Sequence, residues 1–176
     1  AALDSHLWGE AAQPEASIRL GWVDAWTESR KLLPAISNVS KTLNAAGVTR
    51  FMLCGMGGSS LTPEVLAIYK NLPLEVLDAT NPDQISGALA KGLDNLAVFV
   101  SSKSGTTVET TSQFKLFQEK FLASGIDPIE RIIVITDPGS ALDIAARKDG
   151  FQVFNADPNI GGRYSALSAF GIVPAA

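Results

Sequence analysis

From residue 31 to the end of the chain, short apolar runs alternate with amphipathic stretches. The runs at 50–54, 74–78, 96–101, 131–136 and 151–155 are continuously apolar or rich in β-branched residues, as strands buried on both faces should be. Helical patterns fill the gaps. One covers 31–46 and meets a natural stop at Gly47; another covers 60–71, with Ser60 at its start and Pro63 in the first turn, where a missing N–H costs little. Asn81-Pro82 opens a third, with Gln84 in the capping-box position, and Asp137-Pro138 opens a further one by the same logic. Residues 107–124 place Phe114, Phe117 and Phe121 on one face and end at Gly125. Strand-helix-strand units in series imply right-handed crossovers and a parallel sheet. The expected architecture is an α/β, three-layer αβα sandwich around five parallel strands in the order 2-1-3-4-5. Residues 1–30 form an N-terminal arm without a clear assignment, in which Trp22 and Trp26 are expected to dock on the core.

In a flavodoxin-like order, ligands bind at the carboxyl ends of the strands where the order reverses, between the first and third strands. Both of those strands run into polar, glycine-bearing loops. After the third comes Ser101-Ser102-Lys103-Ser104-Gly105-Thr106-Thr107, followed by a helix. A helix N-terminus presents unpaired N–H groups and partial positive charge, which suits a phosphate dianion. Ser102, Lys103, Ser104, Thr106 and Thr107 add side-chain donors, and Gly105 permits a close approach. Locally, Thr106 and Glu109 have the spacing of a capping box.

The first strand leads into Gly55-Met56-Gly57-Gly58-Ser59-Ser60, where Gly57 and Gly58 admit backbone approach and Ser59 supplies a hydroxyl. A dinucleotide fingerprint fits poorly: Ser60 occupies the last slot of G-x-G-x-x-G and Leu61 follows it, although Asp78 ends the second strand where a ribose anchor could stand. A third loop, Asn159-Ile160-Gly161-Gly162-Arg163-Tyr164-Ser165, follows the fifth strand. Gly162 allows close approach there, and Arg163 offers a planar fork to an anion.

Composition narrows the setting. The chain has 176 residues, 46% apolar and only 18% charged, below the usual quarter or so, which suggests that part of the surface is covered by more chain or by a second subunit. A formal net charge of −4 without any Lys/Arg run argues against nucleic acid as a partner. No apolar run approaches the roughly 20 residues of a membrane span, and no signal-peptide pattern opens the chain. With Cys54 as the only cysteine, a small buried residue of the first strand, no intrachain disulfide can form. A soluble cytoplasmic protein is expected.

Taken together, Gly55-Met56-Gly57-Gly58-Ser59, Ser102-Lys103-Ser104-Gly105-Thr106-Thr107-Val108-Glu109-Thr110 and Gly161-Gly162-Arg163-Tyr164-Ser165 resemble, in order, the signature segments of the phosphoglucose isomerase family. The resemblance implies a SIS (sugar isomerase) domain over 31–176, belonging to a longer enzyme. It implies that the two serine-rich loops grip the phosphate of a hexose 6-phosphate, and that Arg163 stabilises the enediolate formed between glucose 6-phosphate and fructose 6-phosphate. The general base and the ring-opening His and Lys would come from a second SIS domain and C-terminal segment outside these residues, with a homodimer as the working form. Some such enzymes are joined to a transaldolase. Some relatives carry Thr-Phe where this chain has Ser104-Gly105. Glu109 is expected to act in the capping box, or to orient a catalytic group from the absent part. His6, the sole histidine, lies in the arm and is not expected in catalysis. The competing reading is a non-catalytic module that senses a phosphosugar, which would have no need of Arg163 beside the sugar carbons.

Overall fold

The computed structural model describes residues 3–176. Its five strands are β1 (Arg50–Gly55), β2 (Leu74–Leu77), β3 (Leu96–Ser101), β4 (Ile132–Thr136) and β5 (Gln152–Asn155), all parallel in the order β2-β1-β3-β4-β5. The expected sheet, order and strand positions are therefore found, with ends shifted by a residue at most. Among the described residues the α-helices are α1 (Gln13–Arg19), α2 (Ala25–Arg30), α3 (Leu33–Ala45), α4 (Leu61–Lys70), α5 (Pro82–Ala90), α6 (Val108–Ala123), α7 (Ala141–Lys148) and α8 (Ala169–Ile172).

Successive strand residues point to opposite sides, so continuously apolar strands feed two cores. Met52, Cys54, Val98, Val100, Ile132 and Val134 face α6 and its Phe114, Phe117 and Phe121. Leu53, Ala97, Phe99, Ile133 and Ile135 face the opposite layer, where Ile36 and Leu43 of α3 and Phe170 of α8 close the core. Both layers are filled by the residues that periodicity assigns to them. Gly47 and Gly125 follow α3 and α6 with φ of +75° and +73°, the left-handed stop that glycine adopts without strain. Burial pushes the Cys54 thiol above its ordinary pKa, so it is a packing group rather than a nucleophile.

One helix start is displaced from expectation, and one cap is made through a different N–H. The helix expected from Asp137-Pro138 begins only at Ser140, whose hydroxyl accepts the Asp143 N–H at 3.0 Å. Asp137 is drawn instead into an ion pair with Lys103, which takes its carboxylate away from a capping role. At α5, Asn81 caps through the Asp83 N–H, one residue before Gln84.

Asp143 then fastens α7 to the sheet. Its carboxylate accepts from the Gly139 N–H and Arg147 Nε, both at 2.8 Å, and from Asn155 Nδ2 at 3.1 Å. The Gly139 N–H, followed by the Asn155 and Arg147 side chains, holds the Asp143 pKa below the ordinary carboxylate value. A depressed folded pKa contributes stability that is complete above the unfolded value, about 3.9, and is lost as pH falls through the folded one. Wild-type unfolding followed from neutral pH downward should lose stability in that acid window. Asp143→Asn should be less stable at neutral pH and show a flatter acid limb; an identical pH profile would remove Asp143 from the account.

The arm is not an appendage. Leu20 forms an antiparallel bridge with Ile160, the Gly21 N–H donates to the Asn159 carbonyl at 3.2 Å, and Ser29 donates to the Leu167 carbonyl. Trp22 and Trp26 do not dock on the core. Trp22 stacks on Tyr164 at the surface with ring centres 5.5 Å apart, and Trp26 is exposed; the small residues Ala25 and Ser29 fill the buried side of α2 instead.

Candidate functional site

The loops after β1 and β3 meet at the reversal of strand order and are tied together. Ser101 donates to the Ser59 carbonyl at 3.1 Å. The loop after β5 joins them from the other side, as the Ser165 hydroxyl reaches the Gly58 carbonyl at 3.2 Å. A Cβ on Gly58 would lie 2.3 Å from the Gly162 carbonyl oxygen, so the first and third loops touch backbone to backbone. Gly58 therefore packs the first loop against the third, a role that local sequence does not reveal.

The two helices that start here differ from their neighbours. α5 and α7, after β2 and β4, are capped by the side chains of Asn81 and Ser140. α4 and α6, after β1 and β3, start at Ser60 and Thr107 with no side-chain cap. The Ser60 hydroxyl turns back to the Gly57 carbonyl, and Thr107 Oγ1 lies 3.1 Å from Ser102 Oγ. The expected capping box of Thr106 and Glu109 is not formed, because the helix begins one residue later. Thr106 turns to Ser104 instead, its N–H and hydroxyl reaching Ser104 Oγ at 3.2 and 3.1 Å. Glu109, half-buried, faces a separate cleft of about 240 Å3 with Thr80, Ile85 and Gln113.

Of the phosphate donors expected from sequence, Ser104 and Thr106 are exposed, Thr107 is half-buried, and Ser59 and Ser102 are buried. The Ser102 hydroxyl is engaged within the loop, accepting the Gly105 N–H at 3.2 Å. Lys103 departs from expectation: its ammonium sits 2.5 Å from Asp137 Oδ2, so its charge is already matched. That pair joins residues on different loops and follows from the adjacency of β3 and β4.

The expected close-approach glycines divide. Gly57 has φ +57° with open space at its Cβ position, and Gly162 is likewise open. At Gly105, with φ +69°, a Cβ would meet Ser140 Oγ at 2.8 Å and Leu142 Cβ at 2.9 Å, so this glycine lets the loop pack on the start of α7. Arg163 is exposed, and among the described residues no carboxylate or carbonyl engages its guanidinium. It borders a cleft of about 580 Å3, together with Lys103, Gly161, Gly162, Tyr164 and residues of the arm. Ser59, Ser104 and Thr107 do not border that cleft; Lys103 is where it adjoins the serine loop.

His6 lies on the arm, 3.1 Å from Asp4 and 3.0 Å from Gln13. No group of three or more His, Cys, Asp or Glu able to share a metal ion occurs among the described residues. Nor is any helix among them long and apolar enough to cross a membrane.

A five-stranded parallel sheet in this order, covered by helices on both faces, is a doubly wound, flavodoxin-like α/β domain. The chain is 33% identical to a glucose-6-phosphate isomerase of Synechococcus sp. (strain JA-3-3Ab), over 97% of its own length and 34% of that protein. A glucose-6-phosphate isomerase from Chlamydia trachomatis superposes with a TM-score of 0.70 at 27% identity, covering 82% of this chain and 29% of that one. A hypothetical protein from Thermus thermophilus superposes with a TM-score of 0.73 at 31% identity, covering 88% of this chain and 38% of that one. No family model matches the chain. The chain matches glucose-6-phosphate isomerases over most of its own length and spans about a third of the length of the curated relatives it matches.

Proposed function

We propose that this chain is the N-terminal sugar-phosphate-binding domain of an aldose–ketose isomerase that interconverts glucose 6-phosphate and fructose 6-phosphate through a cis-enediolate. The observation that carries the phosphate site is the contrast in capping. Of the α-helices that follow β1 to β4, the two at the reversal of strand order lack a side-chain cap and the other two have one, so the N–H groups of the former are available where an anion belongs. Ser59, Ser102, Ser104, Thr106 and Thr107 surround those termini. Lys103, paired with Asp137, orients the loop rather than supplying free charge. Arg163 faces the reacting carbons and answers the negative charge that develops on the sugar oxygens. The proton-transferring base and the ring-opening groups belong to the rest of the isomerase chain, which completes the site in a homodimer; Glu109 orients one of those groups. In this reading residues 1–30 are an arm, residues 31–176 the SIS domain, and the protein acts in the cytoplasm without metal or redox cofactor.

Titration with hexose 6-phosphate followed by calorimetry tests the site. Binding is expected, and Ser104→Ala and Thr107→Ala should each weaken it by about 1.5–3 kcal/mol through loss of a donor to a charged oxygen. Unchanged affinity in both variants would make the loop structural and would defeat the isomerase and sensing readings together. Preferential binding of NAD over hexose 6-phosphate would favour a nucleotide domain instead.

A further inference from the structure

Tryptophan is a large, mostly apolar side chain, yet Trp8 and Trp22 on the arm stand 55% and 40% exposed, and both border the 580 Å3 cleft that Arg163 lines. The cleft has the size of a small-molecule pocket, and such pockets combine aromatic walls with a few convergent polar groups. Here the walls are Trp8, Trp22 and Tyr164, and the charged groups are Lys103, Arg163 and Arg19, the last paired with the Glu15 carboxylate that also lines the cleft. The arm is held in register with the arginine loop. Arg19 Nη1 donates to the Pro158 carbonyl at 3.0 Å, Gly21 to Asn159, Leu20 bridges Ile160, and Trp22 stacks on Tyr164 at an interplanar angle of 21°. Each tie lands within six residues of Arg163. An exposed aromatic pair braced this firmly beside a cation has the chemistry to receive a sugar, whose C–H faces are apolar and whose hydroxyl rim is polar.

We propose that the N-terminal arm is one wall of the substrate pocket, with Trp8 and Trp22 packing against the carbon skeleton of a hexose 6-phosphate whose phosphate sits on the serine loop. This inference rests on the sugar-phosphate reading above and extends it. The loop recognises phosphate, whereas the arm distinguishes a phosphorylated sugar from phosphate alone.

The chain has three tryptophans, and Trp26 does not border the cleft, so intrinsic fluorescence reports on the arm. Hexose 6-phosphate should change the emission of the 176-residue chain, and inorganic phosphate should bind with a much smaller change. Trp8→Ala should weaken hexose 6-phosphate roughly tenfold while leaving the affinity for inorganic phosphate unaltered. Trp22→Ala should likewise weaken hexose 6-phosphate, and Trp22→Phe, which keeps a ring on Tyr164, should restore most of the loss. Wild-type affinity for hexose 6-phosphate in both alanine variants would overturn the proposal while leaving the phosphate site standing. So would equal losses for hexose 6-phosphate and inorganic phosphate, which would reduce the arm to a structural brace. If the wild-type chain binds neither ligand, the sugar-phosphate reading itself fails and takes the proposal with it.

Discussion

Gly58→Ala should destabilise the domain by about 1–3 kcal/mol, the usual cost of forcing atoms into a packed contact, and should weaken hexose 6-phosphate binding with it. The new methyl would stand 2.3 Å from the carbonyl oxygen of Gly162 and 2.9 Å from its carbon. Both are backbone atoms, so no side-chain rotation relieves the clash. The turn that carries Arg163 must move away from the loop after β1, stretching the Ser165–Gly58 hydrogen bond as it goes. Gly162 sits on the other side of the same contact, yet its own Cβ position is open and its φ is not left-handed. Gly162→Ala should therefore stay within about 0.5 kcal/mol of wild type, as substitutions away from packed features do. Denaturant midpoints of the two variants provide the measurement. Equal midpoints would mean that the two loops do not meet as described.

The second large effect belongs to Arg163. Under the proposed isomerase function, Arg163→Ala in the full-length protein should lower kcat by roughly 10²–10³ with a smaller change in KM, because the donor lost would answer charge that exists mainly in the transition state. The guanidinium has no carboxylate partner among the described residues to absorb it, which leaves it available to the substrate. The 176-residue chain alone should bind hexose 6-phosphate without forming fructose 6-phosphate. Wild-type kcat in the variant would reduce Arg163 to a surface charge, and turnover by the isolated chain would reveal a base within it.

Local chemistry made the framework legible. Runs such as Val98-Phe99-Val100 and Ile132-Ile133-Val134-Ile135 are apolar at every position because each strand feeds two cores, and that survives in a one-dimensional reading. The three loops announced themselves in the same way, through glycine and hydroxyl density. What escaped were pairings over long separations. Lys103 reads as a free cation until β3 and β4 bring Asp137 to it, and that same pair removes Asp137 from the helix cap it resembled. Gly58 reads as a ligand-facing glycine until the turn after β5 folds against it. Trp22 reads as core because tryptophan usually is, but its partner is Tyr164 at the surface, 142 residues along the chain by the difference of their numbers. Helix starts were uncertain by a few residues for a related reason: several Ser, Thr, Asn and Asp residues compete for each first turn, and geometry chooses among them.

The Lys103–Asp137 pair has a bearing on how fast a ligand arrives. With that ammonium neutralised at 2.5 Å and a formal charge of −4 overall, the domain projects no strong positive field toward an approaching dianion. It forgoes the roughly ten- to thousandfold gain in encounter rate that a charged funnel confers. At the proposed site, capture falls to groups that act only at contact: two helix termini, a ring of hydroxyls and one arginine. The rate of encounter should therefore vary little with ionic strength, since no attractive field reaches beyond the Debye length of about 8 Å.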